Sequence, residues 1–150
     1  MDTTTTRKEG YELIRQAVSE FMDGREVSDN TLTAIALAVG DDLQLRDYLL
    51  GLPLEQSLEV AGGFIESILS REVLTNEQAV PFLVVLSAFY YEAGDNDRAH
   101  LALMEAEKIN ADYSLLILLK RAFSSGSMKP TRFATMRDEL HPKVLKEILG

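Results

Sequence analysis

The sequence predicts an all-α fold of about nine helices, packed as antiparallel helix pairs. Three observations point there. Apolar residues recur at intervals of three and four along nearly the whole chain, the period of a helix with one buried face. No segment alternates apolar and polar residues between turn signals, and the adjacent valines Val84 and Val85 lie inside a helical pattern. Most connections are short, about two to six residues, which favours antiparallel neighbours.

The elements follow in order. Arg7 to Asp23 carries the stripe Leu13, Ile14, Ala17, Val18, Phe21 and Met22, and Gly24 ends it. Ser28, Asp29 and Asn30 offer caps for a second helix buried through Leu32, Ile35, Ala36 and Val39, which Gly40 stops. Asp41 and Asp42 open a third, through Leu45, Tyr48 and Leu49, where acidic residues suit the positive end of the helix dipole. Gly51 and Pro53 break it. Leu54 to Arg71 reads as one helix, with Gly62 and Gly63 inside it as a place where a neighbouring helix comes close. Thr75 and Gln78 have the spacing of a capping box, but Pro81 cannot donate into a helix interior, so the next helix is expected to start at Pro81. That helix is apolar nearly all round to Ala93 and therefore central. The turn Gly94-Asp95-Asn96-Asp97 leads into its partner, Arg98 to Ile109, and Asp112-Tyr113-Ser114 opens a leucine-rich helix to Phe123. Ser124 to Ser127 reads as a flexible break, followed by two short helices, Thr131 to Leu140 and Pro142 to Leu149.

The chain has 150 residues, 46% hydrophobic and 26% charged, which suits one globular domain. Residues 1–8, with their run of threonines, read as a disordered tail, and residues 9–150 as a single all-α domain. There is no cysteine, so no disulfide or thiolate metal site is available, as in the reducing cytoplasm. No apolar run reaches the length of about 18 residues that would suggest a membrane span. The net charge is −9, unevenly spread: 10 basic against 21 acidic residues up to Ser127, then 5 against 3 from Met128. An acidic body repels phosphate backbones and argues against general nucleic-acid binding. Lys129, Arg132, Arg137, Lys143 and Lys146 form the basic exception, read as a solvated helix face or as anion contacts.

Nothing in the sequence has the pattern of a catalytic or cofactor site. The two histidines, His100 and His141, have no zinc-binding spacing; His100 is expected on an exposed face and His141 at a helix boundary. The acidic turn at Asp95 is not a calcium loop, because the sixth and twelfth positions hold His100 and Ala106 instead of Gly and Glu. No phosphate-binding glycine loop, nucleophile elbow or nucleophile with an adjacent base occurs. The chain is therefore expected to be a non-enzyme without cofactor or metal.

Pro81 to Ala111 resembles a tetratricopeptide-like helix pair. Leu83, Leu86, Ser87 and Tyr90 lie on its first helix, Gly94 closes the turn, and Ala99, Leu103 and Ala106 lie on its second. Small residues at Ser87 and Ala99 allow a close crossing, and Gly94 suits a left-handed turn conformation. Leu32 to Gly51 is a weaker echo of the same pattern. The resemblance implies a peptide groove lined by Val84, Val85, Ala88, Tyr91 and Glu92. These positions lack the Lys, Arg and Asn of pairs that grip a terminal carboxylate. Such a groove is either filled by the chain's own C-terminal helices or takes an apolar helix from a partner or a second copy, with Tyr91 as anchor. A protein or peptide partner, including a homodimer, is the expected function. A nucleic-acid-associated regulator using the basic C-terminal helices is the alternative.

A second resemblance covers Phe89 to Pro130. Tyr90 to Asp95, Arg98-Ala99, Ala102-Leu103, Ala106, Asp112 to Leu115, Leu118-Leu119, Ala122, Gly126 and Pro130 look like the C-terminal part of an uncharacterised actinobacterial family known only as a domain of unknown function. Leu45 to Leu50 looks like another piece of it. This resemblance bears on fold and carries no chemistry.

Overall fold

A computed structural model describes residues 6–125 and 129–150. The tail expected at residues 1–8 falls mostly outside them, and so does the glycine of the expected break after Ser125. Among the described residues there are nine α-helices and no strand: α1 (Arg7–Met22), α2 (Asp29–Asp41), α3 (Leu43–Leu50), α4 (Leu52–Glu55), α5 (Leu58–Ser70), α6 (Asn76–Glu92), α7 (Asn96–Ile109), α8 (Ser114–Ser125) and α9 (Pro130–Leu149). Consecutive helices pack against one another in antiparallel pairs, as in a tetratricopeptide-like array.

Local chemistry sets most boundaries. Side chains of Ser28, Asp42, Ser57 and Asp95 each accept a hydrogen bond from a backbone N–H of the first turn that follows, at 3.2, 3.0, 3.1 and 3.1 Å. Each cap satisfies a donor that the helix itself cannot. Thr75 and Gln78 form a full capping box, with Gln78 N–H donating to Thr75 Oγ1 and Thr75 N–H donating to Gln78 Oε1. Gly94 adopts φ +83°, the left-handed conformation its turn requires.

Three boundaries differ from expectation. The helix assigned to Leu54–Arg71 is two, because Ser57 caps a new start at Leu58. α6 starts at Asn76 and runs through Pro81. α9 is one helix through Pro142, where two were expected. A proline removes a hydrogen bond to the carbonyl four residues earlier. Here those carbonyls belong to Glu77 and Asp138, both exposed residues, so water can take the vacant bond.

The helix α6 is the central wall. Every residue from Val80 to Phe89 is buried. One side, with Phe82, Val85, Leu86 and Phe89, faces a core built from α1, α2, α3, α5 and the end of α9. The other, with Val80, Leu83, Val84 and Ala88, packs on Leu103 and Ala106 of α7 and Leu116 and Leu119 of α8. The α6–α7 crossing is close because its residues are small: Ser87 and Ala99 are fully buried, and Ser87 Oγ donates to the Ala99 carbonyl at 2.8 Å. Of the two glycines read as a close approach, Gly63 on α5 admits Phe21 of α1, 3.3 Å from where a Cβ would stand, while a Cβ on Gly62 would meet nothing within 4 Å.

Candidate functional site

The C-terminal end of α6 forms the floor of a groove of about 410 Å3. Ala88, Phe89 and Glu92 contribute the floor. Leu115, Leu118 and Leu119 of α8 make one wall, and Phe133, Met136 and Leu140 of α9 make the other. Arg46, Leu50 and Gly51 of α3 close the end. Three of these apolar residues are open to solvent, Leu118 at 60%, Met136 at 46% and Leu140 at 44%. Volume and lining are those of a site that takes a ligand or a partner's side chains.

Its position depends on how α9 is held. Arg137 Nη1 donates to both Glu92 oxygens, at 2.7 and 2.6 Å, and both side chains are largely shielded from water. His141 lies 4% exposed inside α9, with Nε2 2.8 Å from Glu55 Oε2. Tyr48 Oη donates to the other Glu55 oxygen at 3.0 Å, and its ring stacks on the imidazole with centroids 5.9 Å apart. Burial, reinforced by the Glu55 charge, pushes the Tyr48 hydroxyl pKa far above its ordinary value. His141 Nδ1 is buried without a hydrogen-bond partner and sits where a Cβ on Gly51 would be, 2.1 Å away. Gly51 thus does more than end α3: its missing side chain makes room for α9. Buried Arg46 holds Asp47 Oδ1 through Nε at 3.1 Å and Nη2 at 2.9 Å, and reaches Tyr113 Oη at 3.5 Å. Burial lowers the Arg46 pKa, but Tyr113 and Asp47 outweigh it and leave it raised.

The five groove residues named from sequence separate in space. Ala88 and Glu92 line the groove. Val84 and Val85 are fully buried on opposite sides of α6. Tyr91 stacks on Phe123 of α8 at 4.2 Å and meets Phe133 of α9 edge-on at 5.3 Å. Of the basic residues, Lys129, Arg132, Lys143 and Lys146 are exposed, while Arg137 is turned inward to Glu92. His100 is exposed, with Nδ1 2.7 Å from the Asn96 carbonyl, whereas His141 is buried mid-helix and not at a helix boundary. Sequence reasoning missed Arg46, Leu118, Met136 and Leu140. The spacing Phe133, Met136, Leu140 was a helical stripe that could have been noticed.

Among the described residues no group of three or more His, Cys, Asp or Glu is placed to hold a metal ion, and no helix is long and apolar enough to cross a membrane. Comparison with curated proteins and with solved structures returned no match. A family model matches residues 1–130, a span that contains all of α1 to α8. The chain accordingly belongs to the family described as Domain of unknown function (DUF4192).

Proposed function

We propose that this chain is a non-catalytic protein–protein interaction module of the bacterial cytoplasm that takes a segment of a partner, or of a second copy of itself, in the groove between α6, α8 and α9. The observation that carries this reading is the exposed apolar rim: Leu118, Met136 and Leu140 face solvent around a floor formed by Ala88, Phe89 and Glu92. Exposed apolar residues grouped around a concavity mark an interaction surface more often than scattered ones do. Val84, Val85 and Tyr91 act in this reading as the support beneath the floor. The paired helices α6 and α7 supply the rigid scaffold on which such modules present a groove. The alternative of nucleic-acid binding gains nothing from Arg137, whose charge is engaged by Glu92.

The test is the double variant Leu118→Asp with Leu140→Asp, both on exposed positions where folding is little affected. Proteins captured by the wild-type chain from a lysate of its own source, and any dimer formed through the groove, are expected to be lost. Capture that survives the change rules the groove out.

A further inference from the structure

We infer that two copies of the chain associate side by side and antiparallel through the outer face of α7. The inference goes beyond the groove reading, because it uses a different surface and commits the second copy to it.

α7 packs on α6 and α8, with Ala99, Leu103 and Ala106 buried. Its opposite face carries Asp97, Leu101, Met104 and Lys108, at steps of four, three and four residues, the spacing of a seam between two helices. All four are exposed, Leu101 at 60% and Met104 at 53%. Among the described residues no side-chain hydrogen bond or ion pair engages Asp97 or Lys108.

One exposed leucine means little, since much of any protein surface is apolar. The order of residues along this face says more. About the point between Ala102 and Leu103, Asp97 mirrors Lys108 and Leu101 mirrors Met104. An antiparallel two-fold placed there sets Leu101 of each copy on Met104 of the other, and Asp97 on Lys108, so every contact forms twice. A parallel pairing would instead set Asp97 on Asp97 and Lys108 on Lys108. The helix dipole accounts for an acidic start and a basic end; it does not account for two apolar residues exposed between them. The flanks agree. On the α5 side Arg98, 3.5 Å from Asp95 in its own chain, comes beside Glu105 of the second copy. On the α8 side His100 comes beside Glu107 of the second copy, which Lys120 of that copy already pairs.

The chain as a whole carries −9 and repels its own copies. Around this face the charges nearly cancel, Asp97, Glu105 and Glu107 against Arg98, Lys108 and Lys120, so two copies meet here with little of that repulsion. One helix of about four turns against another buries less than the roughly 1,200 Å2 of a standard interface, so the dimer is weak, with a Kd on the order of 10 to 100 µM.

The experiment is sedimentation of the full chain over concentrations from about 1 to 500 µM, where a monomer–dimer equilibrium with that Kd is expected. Leu101→Asp puts a charge into both halves of the seam and should leave monomer alone at every concentration. Asp97→Lys sets like charges opposite each other at both ends and should weaken the dimer about fivefold. Adding Lys108→Asp to that variant restores two opposite pairs at the wild-type net charge, and should return the Kd to within about twofold of the wild-type value. A chain that had merely lost its fold would not be rescued in this way. Leu118→Asp with Leu140→Asp should leave the dimer as it is. A wild-type chain that is monomeric throughout, a dimer that survives Leu101→Asp, or a double exchange no tighter than Asp97→Lys alone overturns the inference. A dimer lost with the groove variant overturns it too, by placing the second copy in the groove. Capture of another protein by the groove is read separately from a lysate, so either reading can fail without the other.

Discussion

The helices α7 and α9 both pack on α6, but by different means. α7 crosses it through small residues, Ser87 against Ala99, with Ala106 and Leu103 filling the space beside them. Among the described residues one buried polar contact, Ser87 Oγ to the Ala99 carbonyl, interrupts that seam. α9 is held by two polar pegs, Arg137 on Glu92 and His141 on Glu55, and by the fit of His141 against Gly51, with Val144 and Ile148 as buried apolar anchors. Packed apolar seams gain stability from surface removed from water. Buried ion pairs largely cancel their own desolvation, so they fix position more than they add stability. The α6–α7 pair is therefore the permanent scaffold, and α9 is a helix whose placement is specified but whose hold is modest.

The contrast can be broken most sharply at the dry seam. Ala99→Leu forces a large side chain against Ser87 where no space exists, and should cost about 3 kcal/mol in urea denaturation. A loss near zero would mean that the crossing is looser than its burial indicates. Gly51→Ala addresses the other seam. A Cβ there would lie 2.1 Å from His141 Nδ1, so α9 must shift, at a cost of about 2 kcal/mol. Without that obstruction the same change at φ −86° would stabilise by about 0.5 kcal/mol, so the sign alone decides. Hydrogen exchange should quicken in α9 and stay slow in α6 and α7.

The smallest effect is a pH dependence. Tyr48 titrates above its ordinary value in the folded chain, so the unfolded chain loses that proton first. Its contribution is complete below about pH 10 and is lost as pH rises further. Tyr90, whose hydroxyl donates to Glu66 and is pushed up to about 12, mainly by burial, follows the same sign on the α5–α6 side. Denaturation followed from pH 8 to 11 should show stability falling above about pH 10. Tyr48→Phe should flatten that fall more than Tyr90→Phe, because Tyr48 is the more deeply buried. The opposite ranking would place the α9 anchor outside the core.

Much of the scaffold was legible because its causes are local. The cap at Ser28, the helix start at Asp42, the left-handed Gly94 and the small residues at the α6–α7 crossing all act over a few positions or at a fixed spacing, and the capping box at Thr75 was visible but set aside for Pro81. The prolines misled because the rule that bars them from helices assumes an unmet carbonyl, and at Glu77 and Asp138 solvent is within reach. The candidate site was only half legible. Ala88 and Glu92 follow from helix periodicity, but their neighbours Arg46, Leu118 and Arg137 arrive from three other helices. No periodicity encodes a pairing between Glu92 and Arg137, or between Glu55 and His141. Gly51 was read correctly as the end of α3 but only in part, for the same reason: a helix terminator and a notch for a distant ring are the same letter.

The shared wall at α6 also has a consequence for how the protein is made. Synthesis delivers α1 to α8 before α9, yet the core beside α6 takes Val144 and Ile148 from α9. Until α9 has been made, the nascent chain holds that part of its core uncovered. The α6–α7 pair, whose contacts lie close together in sequence, can close early and serve as a template. Completion of the fold then waits on docking between segments far apart in the sequence.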